Sequence, residues 1–590
     1  MKRFLAILLM LIIFLLCISC GVSDDVDNNP KARANPSSGT NPDTQVNPGS
    51  GANPDAQVNP EARVNPGSGV DSNTQAGTGS EVNSNAQTNP EAQVNLDTQA
   101  DPSSGANPEA QVNPVARANP GSGVDSNPPV NPVFRANPGS GANPNSSVNP
   151  AARVNSSDDP PNSIYVSTDG NDAKATGAAD APYKSINAAL SSAQPGDTII
   201  LRDGIYREGE NVRIRTPNIT IKSKQGEWAI IDLTNYNSGN DEDSAVYFDV
   251  DSSGGGLQGL EVMGGFYAVC METKWDWGDP ADRAGASDII IEDCVLHNSR
   301  YDTIKVKPNC NNITIRNNEI YNSGMAFAGN VPNGEDNAEG IDNVNGGNMT
   351  VQNNYIHDIC SNAIYAKGGA TDALIENNRI ERAYGGGILV GFDTSPEYFD
   401  LTVNPQYYEN IGGVVRNNLI IDTVLSGIGL YASKDAQVYN NTLVDVDNGP
   451  YHSAIYYGIT YQDWEEHAGR PANVNPDIHH NIVCQPATFY RSMIEIRYAD
   501  DLGGLSALDG NPTMDNNCYY VAGGSALFDD SRPGSSRPGN TLEGAGLAAW
   551  QSHIGGESES LEVDPELDTD YLATNPQCAG MGLNIPLTVS

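Results

Sequence analysis

The sequence predicts an all-β fold over residues 162–590, a solenoid of stacked coils called a parallel β-helix. Three observations lead to this prediction. An Asn-Asn pair recurs along the chain, apolar residues alternate around each pair as in strands, and a short amphipathic helix opens the region. Residues 1–161 differ in composition, and they are predicted to be an export signal followed by a disordered stalk.

The first twenty residues are predicted to be a lipoprotein-type signal peptide. Lys2 and Arg3 precede an apolar run over residues 4–16, which is too short for a stable membrane span. The end of the segment resembles a bacterial lipobox, which implies cleavage after Ser19 and lipidation of Cys20. Cys17 departs from that pattern, since leucine is usual there. We expect an exported chain that touches a membrane only through an N-terminal lipid anchor, or that is released as a secreted protein.

The segment 21–161 is predicted to be a stalk rather than a domain. It repeats variants of Asn-Pro-Gly-Ser-Gly and Asn-Pro-Glu-Ala-Arg-Val, and Phe134 is its one aromatic residue. Such a sequence cannot bury enough apolar surface to offset the entropy of ordering, and its prolines favour extended conformations. We expect a spacer that holds the folded domain away from its anchor.

The charge of the folded region excludes one class of partner. Of the total net charge of −42, the signal contributes +2 and the stalk −9, which leaves −35 for residues 160–590. This excludes nucleic acid, which requires a basic surface. An acidic polymer fits such a protein only where a cation or a local basic cluster reverses the sign. We expect the domain to be a monomer.

The Asn-Asn repeat gives the period of the solenoid. The first asparagine of each pair recurs at spacings of 36, 24, 40 and 23 residues, at Asn317, Asn353, Asn377, Asn417 and Asn440. A unit of 23–24 residues, lengthened where a loop is inserted, is typical of a solenoid. Asparagine tolerates a left-handed backbone and can hydrogen-bond to its copy on the next coil, so we assign these residues a structural role.

The start of the domain is predicted to carry a cap. Residues 183–190 place Ile186, Ala189 and Leu190 on one helical face, and a helix there would cover the open end of the first coil. The motifs Tyr-Val-Ser-Thr-Asp-Gly (165–170), Ala-Pro-Tyr-Lys-Ser-Ile (181–186) and Pro-Gly-Asp-Thr-Ile-Ile-Leu-Arg-Asp-Gly-Ile-Tyr (195–206) resemble the opening of right-handed parallel β-helix proteins. These include pectate lyases of polysaccharide lyase family 9 and, more distantly, family 6 chondroitinase B and alginate lyases. Activity does not follow from this fold alone.

One outer face concentrates unusual polar residues. Alignment of the second strand of four coils stacks Ile304, Ile341, Ile364 and Ile388 inward, so alternation turns Lys305, Asp342 and Tyr365 outward. Lys307 and Lys367 follow two places later on their coils. An acidic coil is therefore predicted to lie between two lysine-bearing coils, about 4.8 Å from each. Nearby insertions add Trp275, Trp277 and Asp393, which with Tyr365 are candidate substrate-binding residues.

This set of residues suits β-elimination from a uronic-acid polymer. Removing the C5 proton requires neutralisation of the adjacent carboxylate, which Ca²⁺ held by hard oxygen ligands can provide. Asp302, Glu339 and Asp342 are the candidate ligands, and Lys367 is the candidate base. A lysine serves as a base when nearby cations or burial lower its pKa towards neutrality. The sequence therefore predicts a Ca²⁺-assisted lyase that acts on an acidic polysaccharide.

The resemblance supports this set in part. Family 9 lyases use an acidic cluster on one coil and a lysine from a later coil; Glu339-Gly-Ile-Asp342 and Lys367 resemble these parts, although Ala338 stands where a further acid is expected. Family 6 enzymes place an acid five residues before the base, as Asp302 and Lys307 do. The base therefore stays open between Lys367, Lys307 and Lys305.

Three other functions fit the same scaffold. A glycoside hydrolase needs two suitably spaced carboxylates, for which Asp342 with Asp393 or Glu339 would serve. A uronate C5-epimerase would abstract the same proton without cleaving the chain. A non-catalytic carbohydrate-binding surface adhesin would need only the stalk and the solenoid.

Overall fold

The computed structural model describes residues 159–234, 244–274, 283–324, 337–449, 451–461, 469–487, 489, 491–533 and 542–587. The signal peptide with Cys20, and the stalk up to residue 158, lie outside the described residues. None of the helices in the described ranges has the length and apolar character needed to cross a membrane.

Three long sheets, with parallel pairing throughout apart from one terminal strand, confirm the β-helix prediction. Sheet 1 consists, in spatial order, of Ser163–Val166, Thr198–Leu201, Ile219–Ser223, Gly255–Gln258, Ile290–Glu292, Thr314–Arg316, Thr350–Gln352, Leu374–Glu376, Val414–Arg416, Gln437–Tyr439, Asp477–His479 and Thr513–Asp515.

Sheet 2 carries the face on which the sequence places the candidate site. Its strands are Val212–Ile214, Val246–Phe248, Val269–Met271, Ile304–Val306, Ile341–Val344, Ile364–Lys367, Ile388–Val390, Ile428–Tyr431, Ile455–Gly458, Ser492–Ile496, Leu527–Asp530 and Leu542–Ala545. The last strand pairs antiparallel with its neighbour.

Sheet 3 completes each coil. Its strands are Gly204–Tyr206, Ala229–Leu233, Glu261–Gly264, Val295–His297, Glu319–Tyr321, Tyr355–Ile359, Arg379–Ala383, Leu419–Thr423, Thr442–Val444, Ile482–Gln485, Cys518–Val521 and Leu561–Glu562. Three small sheets lie in the turns. They consist of Thr273–Lys274 with Ala284–Gly285, of Ala370–Thr371 with Asn410–Ile411 and Ser433–Lys434, and of Tyr498–Ala499 with Leu505–Ser506.

The interior of the coils is an apolar column in strict register. Along sheet 2 the predicted isoleucines pair coil by coil and are fully buried, as Ile304, Ile341, Ile364 and Ile388. Because side chains alternate along a strand, the residue after each isoleucine faces outward. The predicted inward ladder is confirmed, and Lys305, Asp342 and Tyr365 occupy the position after its isoleucines.

The two asparagines of each pair have different structural roles. The first asparagine has a left-handed backbone, as at Asn317 (φ 56°) and Asn377 (φ 56°). The second is buried, and the second asparagines form a ladder together with Asn481, which follows a histidine. In this ladder the side-chain oxygen of each member after the first accepts from the backbone and side-chain N–H groups of the preceding member, through Asn318, Asn354, Asn378, Asn418, Asn441, Asn481 and Asn517. The ladder satisfies buried polar groups at every coil.

Helices close both ends of the coil stack. The predicted capping helix spans Ile186–Ser192, buries Ile186, Ala189 and Leu190, and begins at Ser185, whose hydroxyl accepts a hydrogen bond from the Ala188 N–H. A second helix, Leu547–Ile554, packs Trp550 into the other end of the core. Two short 3₁₀ turns, Pro396–Tyr398 and Pro576–Cys578, lie in the connections.

Candidate functional site

Three coils of sheet 2 bring the predicted polar residues together. Lys305 pairs with Asp342, and Asp342 pairs with Tyr365, in one outward column. Val344 pairs with Lys367 two places further along the same strands. The acidic coil therefore lies between two lysine-bearing coils, as the sequence predicts.

The three predicted metal ligands form one buried cluster. Among the described residues, oxygen atoms of Asp302, Glu339 and Asp342 all lie within 4.8 Å of one another. These residues are 3%, 0% and 2% exposed. The Glu339 N–H donates to Asp302 Oδ1 over 3.0 Å, which fixes the backbone between the two carboxylates.

Several oxygens of this cluster are buried without a protein donor. Both carboxylate oxygens of Glu339, and Oδ1 of Asp342, have no hydrogen-bond partner among the residues that the structure describes. A buried carboxylate without a donor is costly, so such oxygens are uncommon unless something else binds them. A divalent cation with oxygen preference fits this donor set.

The three predicted lysines have different partners. Lys305 Nζ lies 2.6 Å from Asp342 Oδ2 and 3.2 Å from Asp302 Oδ2. Lys367 Nζ lies 3.8 Å from the same Asp342 oxygen and 4.3 Å from the centre of the Tyr365 ring. Lys307 instead pairs with Glu272, at 3.3 Å, on the preceding coil. The structure thus brings Lys305 and Lys367 to the carboxylate cluster and directs Lys307 to a different acid.

The pKa values of the three carboxyl groups in the cluster are shifted in different directions. Burial, reinforced by Asp302, raises the pKa of Glu339 well above its usual range. Burial also raises the pKa of Asp302. Burial acts to raise the pKa of Asp342 as well, but Lys305 and Lys367 outweigh it and hold that pKa below its ordinary value.

Lys367 does not have the lowered pKa that a free base requires. Burial acts to lower the pKa of its ammonium group, but Asp342 and Glu339 outweigh burial and raise it above the ordinary value. The surroundings within the chain therefore do not bring this lysine towards neutrality, and its role as the base stays a prediction. Lys305 acts in the opposite direction on the Lys367 ammonium, but the neighbouring carboxylates outweigh it.

The predicted substrate-binding residues differ in their burial, and two of them lie outside the described residues. Tyr365 is only 1% exposed, stacks on Phe392 with ring centres 5.1 Å apart, and has its hydroxyl bonded to Asn362. Asp393 is half-buried in the connection that follows the Ile388–Val390 strand. Trp275 and Trp277 lie outside the described residues.

A buried pair that the sequence does not predict supports the turn after Lys367. Glu409 Oε2 accepts from the Gly368 N–H over 2.8 Å, and Glu409 Oε1 accepts from the Thr394 N–H over 3.1 Å. Arg470 Nε lies 3.5 Å from Glu409 Oε1, and both side chains are fully buried. The residues are separated by insertions of irregular length, so no periodic signal in the sequence links them.

An aromatic stripe, also missed, continues the face beyond Lys367. Tyr365, Phe392, Tyr431 and Tyr456 contact one another in series, with ring centres 5.1–5.8 Å apart. All four are buried. The alignment of outward positions could have placed Tyr456 on this face, since Lys305, Asp342 and Tyr456 share one column.

Comparison with known proteins agrees with this architecture. Residues 281–404 match the family model described as the right handed beta helix region. A stretch of 74 residues is 40% identical to pectate lyase PEL9 of Emericella nidulans, and it covers 12% of this chain and 18% of that protein. The chain thus matches less than a fifth of the length of this curated relative.

Solved structures show more distant likenesses. Pectate lyase Pel9A is 15% identical with a TM-score of 0.38, over 57% of this chain and 79% of that one. PfbA, a surface adhesin of Streptococcus pneumoniae, is 11% identical with a TM-score of 0.37, over 61% and 89%. The A-module of the mannuronan C-5 epimerase AlgE6 of Azotobacter vinelandii is 14% identical with a TM-score of 0.39, over 65% and 95%. Likenesses at this level say nothing about activity. Together with its three sheets and its family match, the chain is a right-handed parallel β-helix protein that is similar, over one short stretch, to a pectate lyase.

Proposed function

We propose that this chain is a polysaccharide lyase that cleaves an acidic, uronic-acid-containing polysaccharide by Ca²⁺-assisted β-elimination. One observation carries the proposal: the buried cluster of Asp302, Glu339 and Asp342 has unpartnered oxygens and lies between two lysine-bearing coils. The short match to a pectate lyase supports it. We further propose, from the signal peptide alone, that the protein is exported and anchored through Cys20.

The donor set of the cluster fits Ca²⁺. This cation takes six to eight oxygen ligands, often carboxylates, at flexible geometry. Asp302, Glu339 and Asp342 would hold it, with substrate or water supplying the remaining oxygens. When bound, the cation would neutralise the uronate carboxylate and make the C5 proton more acidic. It would also give a strongly acidic domain a local site for an acidic polymer.

Lys367 is the better placed base of the three lysines. Lys305 already contacts two carboxylates at short range, and Lys307 is held by Glu272. The Lys367 ammonium has one carboxylate contact, at 3.8 Å, and lies against aromatic rings. Charge neutralisation at Asp342 and Glu339 would remove the two groups that hold the Lys367 proton most strongly. Base and metal are therefore linked in this proposal.

The test is a panel of pectate, alginate, chondroitin and cell-wall uronans, assayed with Ca²⁺ and with a chelator. We expect at least one polymer to give unsaturated products that absorb in the ultraviolet, and we expect the chelator to abolish this activity. Lys367→Ala should lower kcat by about 10²–10⁴-fold, the usual contribution of a positioned base. Lys184→Ala, at an exposed lysine near the capping helix, is the matched control and should retain full activity.

Each part of the proposal can fail separately. Full activity of Lys367→Ala would remove the base assignment, and Lys305→Ala would then be the next variant to assay. Full activity in the presence of the chelator would exclude a role for the metal in catalysis. Binding without turnover of every polymer would favour an adhesin.

A glycoside hydrolase is the second candidate, because one observation favours it. Two neighbouring carboxyl groups, Glu339 and Asp342, have pKa values pushed in opposite directions, as in an acid and nucleophile pair. New reducing ends without the ultraviolet chromophore would identify a hydrolase. A change of sugar configuration without chain cleavage would instead identify an epimerase.

A further inference from the structure

The C-terminal residues 563–587, here called the strap, run back across coils that precede them in the chain. The Gly582 N–H donates to the His480 carbonyl over 2.7 Å, and the Leu583 N–H donates to Thr442 Oγ1 over 3.0 Å. Residues 585–587 line a groove with Asn353 and Asn377, on coils still closer to the N-terminus. The strap therefore depends on a few polar contacts and a small apolar cluster for its attachment.

Two cysteines meet where the middle of the strap contacts sheet 3. Cys518 lies in the Cys518–Val521 strand of sheet 3, and Cys578 ends the Pro576–Cys578 turn of the strap. Their sulfur atoms are 3.3 Å apart, and both residues are fully buried beside Ile482 and Met581. A disulfide places its sulfurs about 2.05 Å apart, so a small side-chain movement would allow the bond to form.

We propose that Cys518 and Cys578 form a disulfide bond that fastens the strap to the coil stack. The spacing of the cysteines in the sequence gives no sign of this pair, because 59 residues separate them. The proposal rests on the predicted export to an oxidising compartment, and it is independent of the proposed lyase activity.

The bond forms by thiol–disulfide exchange with the oxidised, disulfide form of a thiol oxidoreductase. The thiolate of one cysteine attacks the donor disulfide and gives a mixed disulfide, and the second cysteine then displaces the donor. The chain loses two hydrogens and two sulfurs become oxidised, while the donor leaves as a dithiol. Burial raises the pKa of both thiols, which makes thiolate scarce once the strap has docked. We therefore expect the exchange to occur during folding.

Cys484 provides a control within the same cluster. It lies on the neighbouring Ile482–Gln485 strand, is half-buried, and packs against the same apolar group as Cys518 and Cys578. Its burial raises the pKa of its thiol to about 11. A disulfide specific to the strap should leave this third thiol free.

The experiment uses the full chain, exported to the bacterial periplasm, and alkylated under denaturing conditions without reductant. Peptide mass spectrometry should find a Cys518–Cys578 cross-linked peptide that is two hydrogens lighter than the sum of its parts, with Cys484 alkylated. Cys578→Ser should remove the cross-link, free the Cys518 thiol, speed proteolysis within the strap and lower the Tm. Cys484→Ser should leave all four readouts unchanged.

Two results of the peptide map would overturn the disulfide. One is alkylation of both Cys518 and Cys578 in the exported, folded protein, and the other is a cross-link from Cys518 to Cys484. If Cys578→Ser does not fold, the peptide map of the unaltered chain still decides. Reductant should lower the Tm of the unaltered chain and leave that of Cys578→Ser unchanged; no shift in the unaltered chain would also contradict the proposal.

Discussion

Glu339 is the most completely buried residue of the carboxylate cluster. Its side chain is fully buried, it contacts no donor among the described residues, and Asp302 lies beside it. Burying a carboxyl group in this way destabilises the folded chain unless a ligand compensates. A buried carboxyl group of this kind is better explained by a bound ligand than by a contribution to the stability of the fold.

The substitution Glu339→Gln separates these two roles. Glutamine keeps the size and removes the charge, so the free energy of unfolding without metal should be unchanged or higher. Calcium at 100 times its Kd should stabilise the unaltered protein by about 2.7 kcal/mol, and the variant should lose most of this gain. Thermal unfolding with and without Ca²⁺ measures both effects. An equal calcium-induced shift in both proteins would exclude Glu339 as a ligand, and Glu543→Gln, at an exposed position, is the control.

Sequence predicts the position of a side chain in this fold better than it predicts the partner of that side chain. Strand alternation and the asparagine spacing were enough to place Lys305, Asp342 and Tyr365 in one outward column. Which lysine contacts which acid depends on distances of about an ångström, which no periodicity encodes. The Glu409–Arg470 pair was out of reach for another reason, since it forms between two irregular insertions.

At the scale of the secondary-structure element, the asparagine ladder links each turn to the next. Asn378 shows the pattern: its Oδ1 accepts from the backbone and side-chain N–H groups of Asn354, and its Nδ2 donates to Val351 and Asn418. The ladder is continuous from Asn318 to Asn517. The repeat could be read from the sequence, whereas the division of tasks between the two asparagines of each pair required the backbone angles.

Removing one member of the ladder should be strongly destabilising. Asn378→Ala removes the acceptor of the Asn354 backbone and side-chain N–H groups and the side-chain donor to Val351 and Asn418. Each buried group left unpaired costs about 1–3 kcal/mol. We expect the free energy of unfolding to fall by at least about 3 kcal/mol, measured by denaturant titration. Asn377→Gly is the matched control, because glycine accepts the left-handed backbone of that position, and it should change stability by less than about 1 kcal/mol. Similar losses in the two variants would show that the ladder adds nothing beyond the turn.

At the scale of the whole molecule, charge should govern the encounter with the substrate. The net charge of −35 over residues 160–590 repels an acidic polymer at long range, and salt screens this repulsion. At saturating Ca²⁺, raising the ionic strength from about 0.01 M to about 0.15 M shortens the screening length from about 30 Å to about 8 Å. We expect kcat/KM on the acidic polymer to rise over this range.

The control for this effect is the methyl-esterified form of the same polymer, which carries less charge and should show a weaker salt dependence. A fall in kcat/KM with salt on the acidic polymer would contradict the prediction. It would show that the lysines beside the cluster, rather than the domain as a whole, set the field that the substrate meets.

The in-register stacking of the three sheets has a consequence for how such a protein can change. The carboxylates and lysines of the cluster are spaced by the pitch of the coils, while the connections between strands vary in length from one coil to the next. Insertions can therefore lengthen or shorten in these connections without moving the carboxylates and lysines of the cluster relative to one another. If the proposed function holds, selection for a new substrate and preservation of the proposed chemistry can then act on separate parts of the chain.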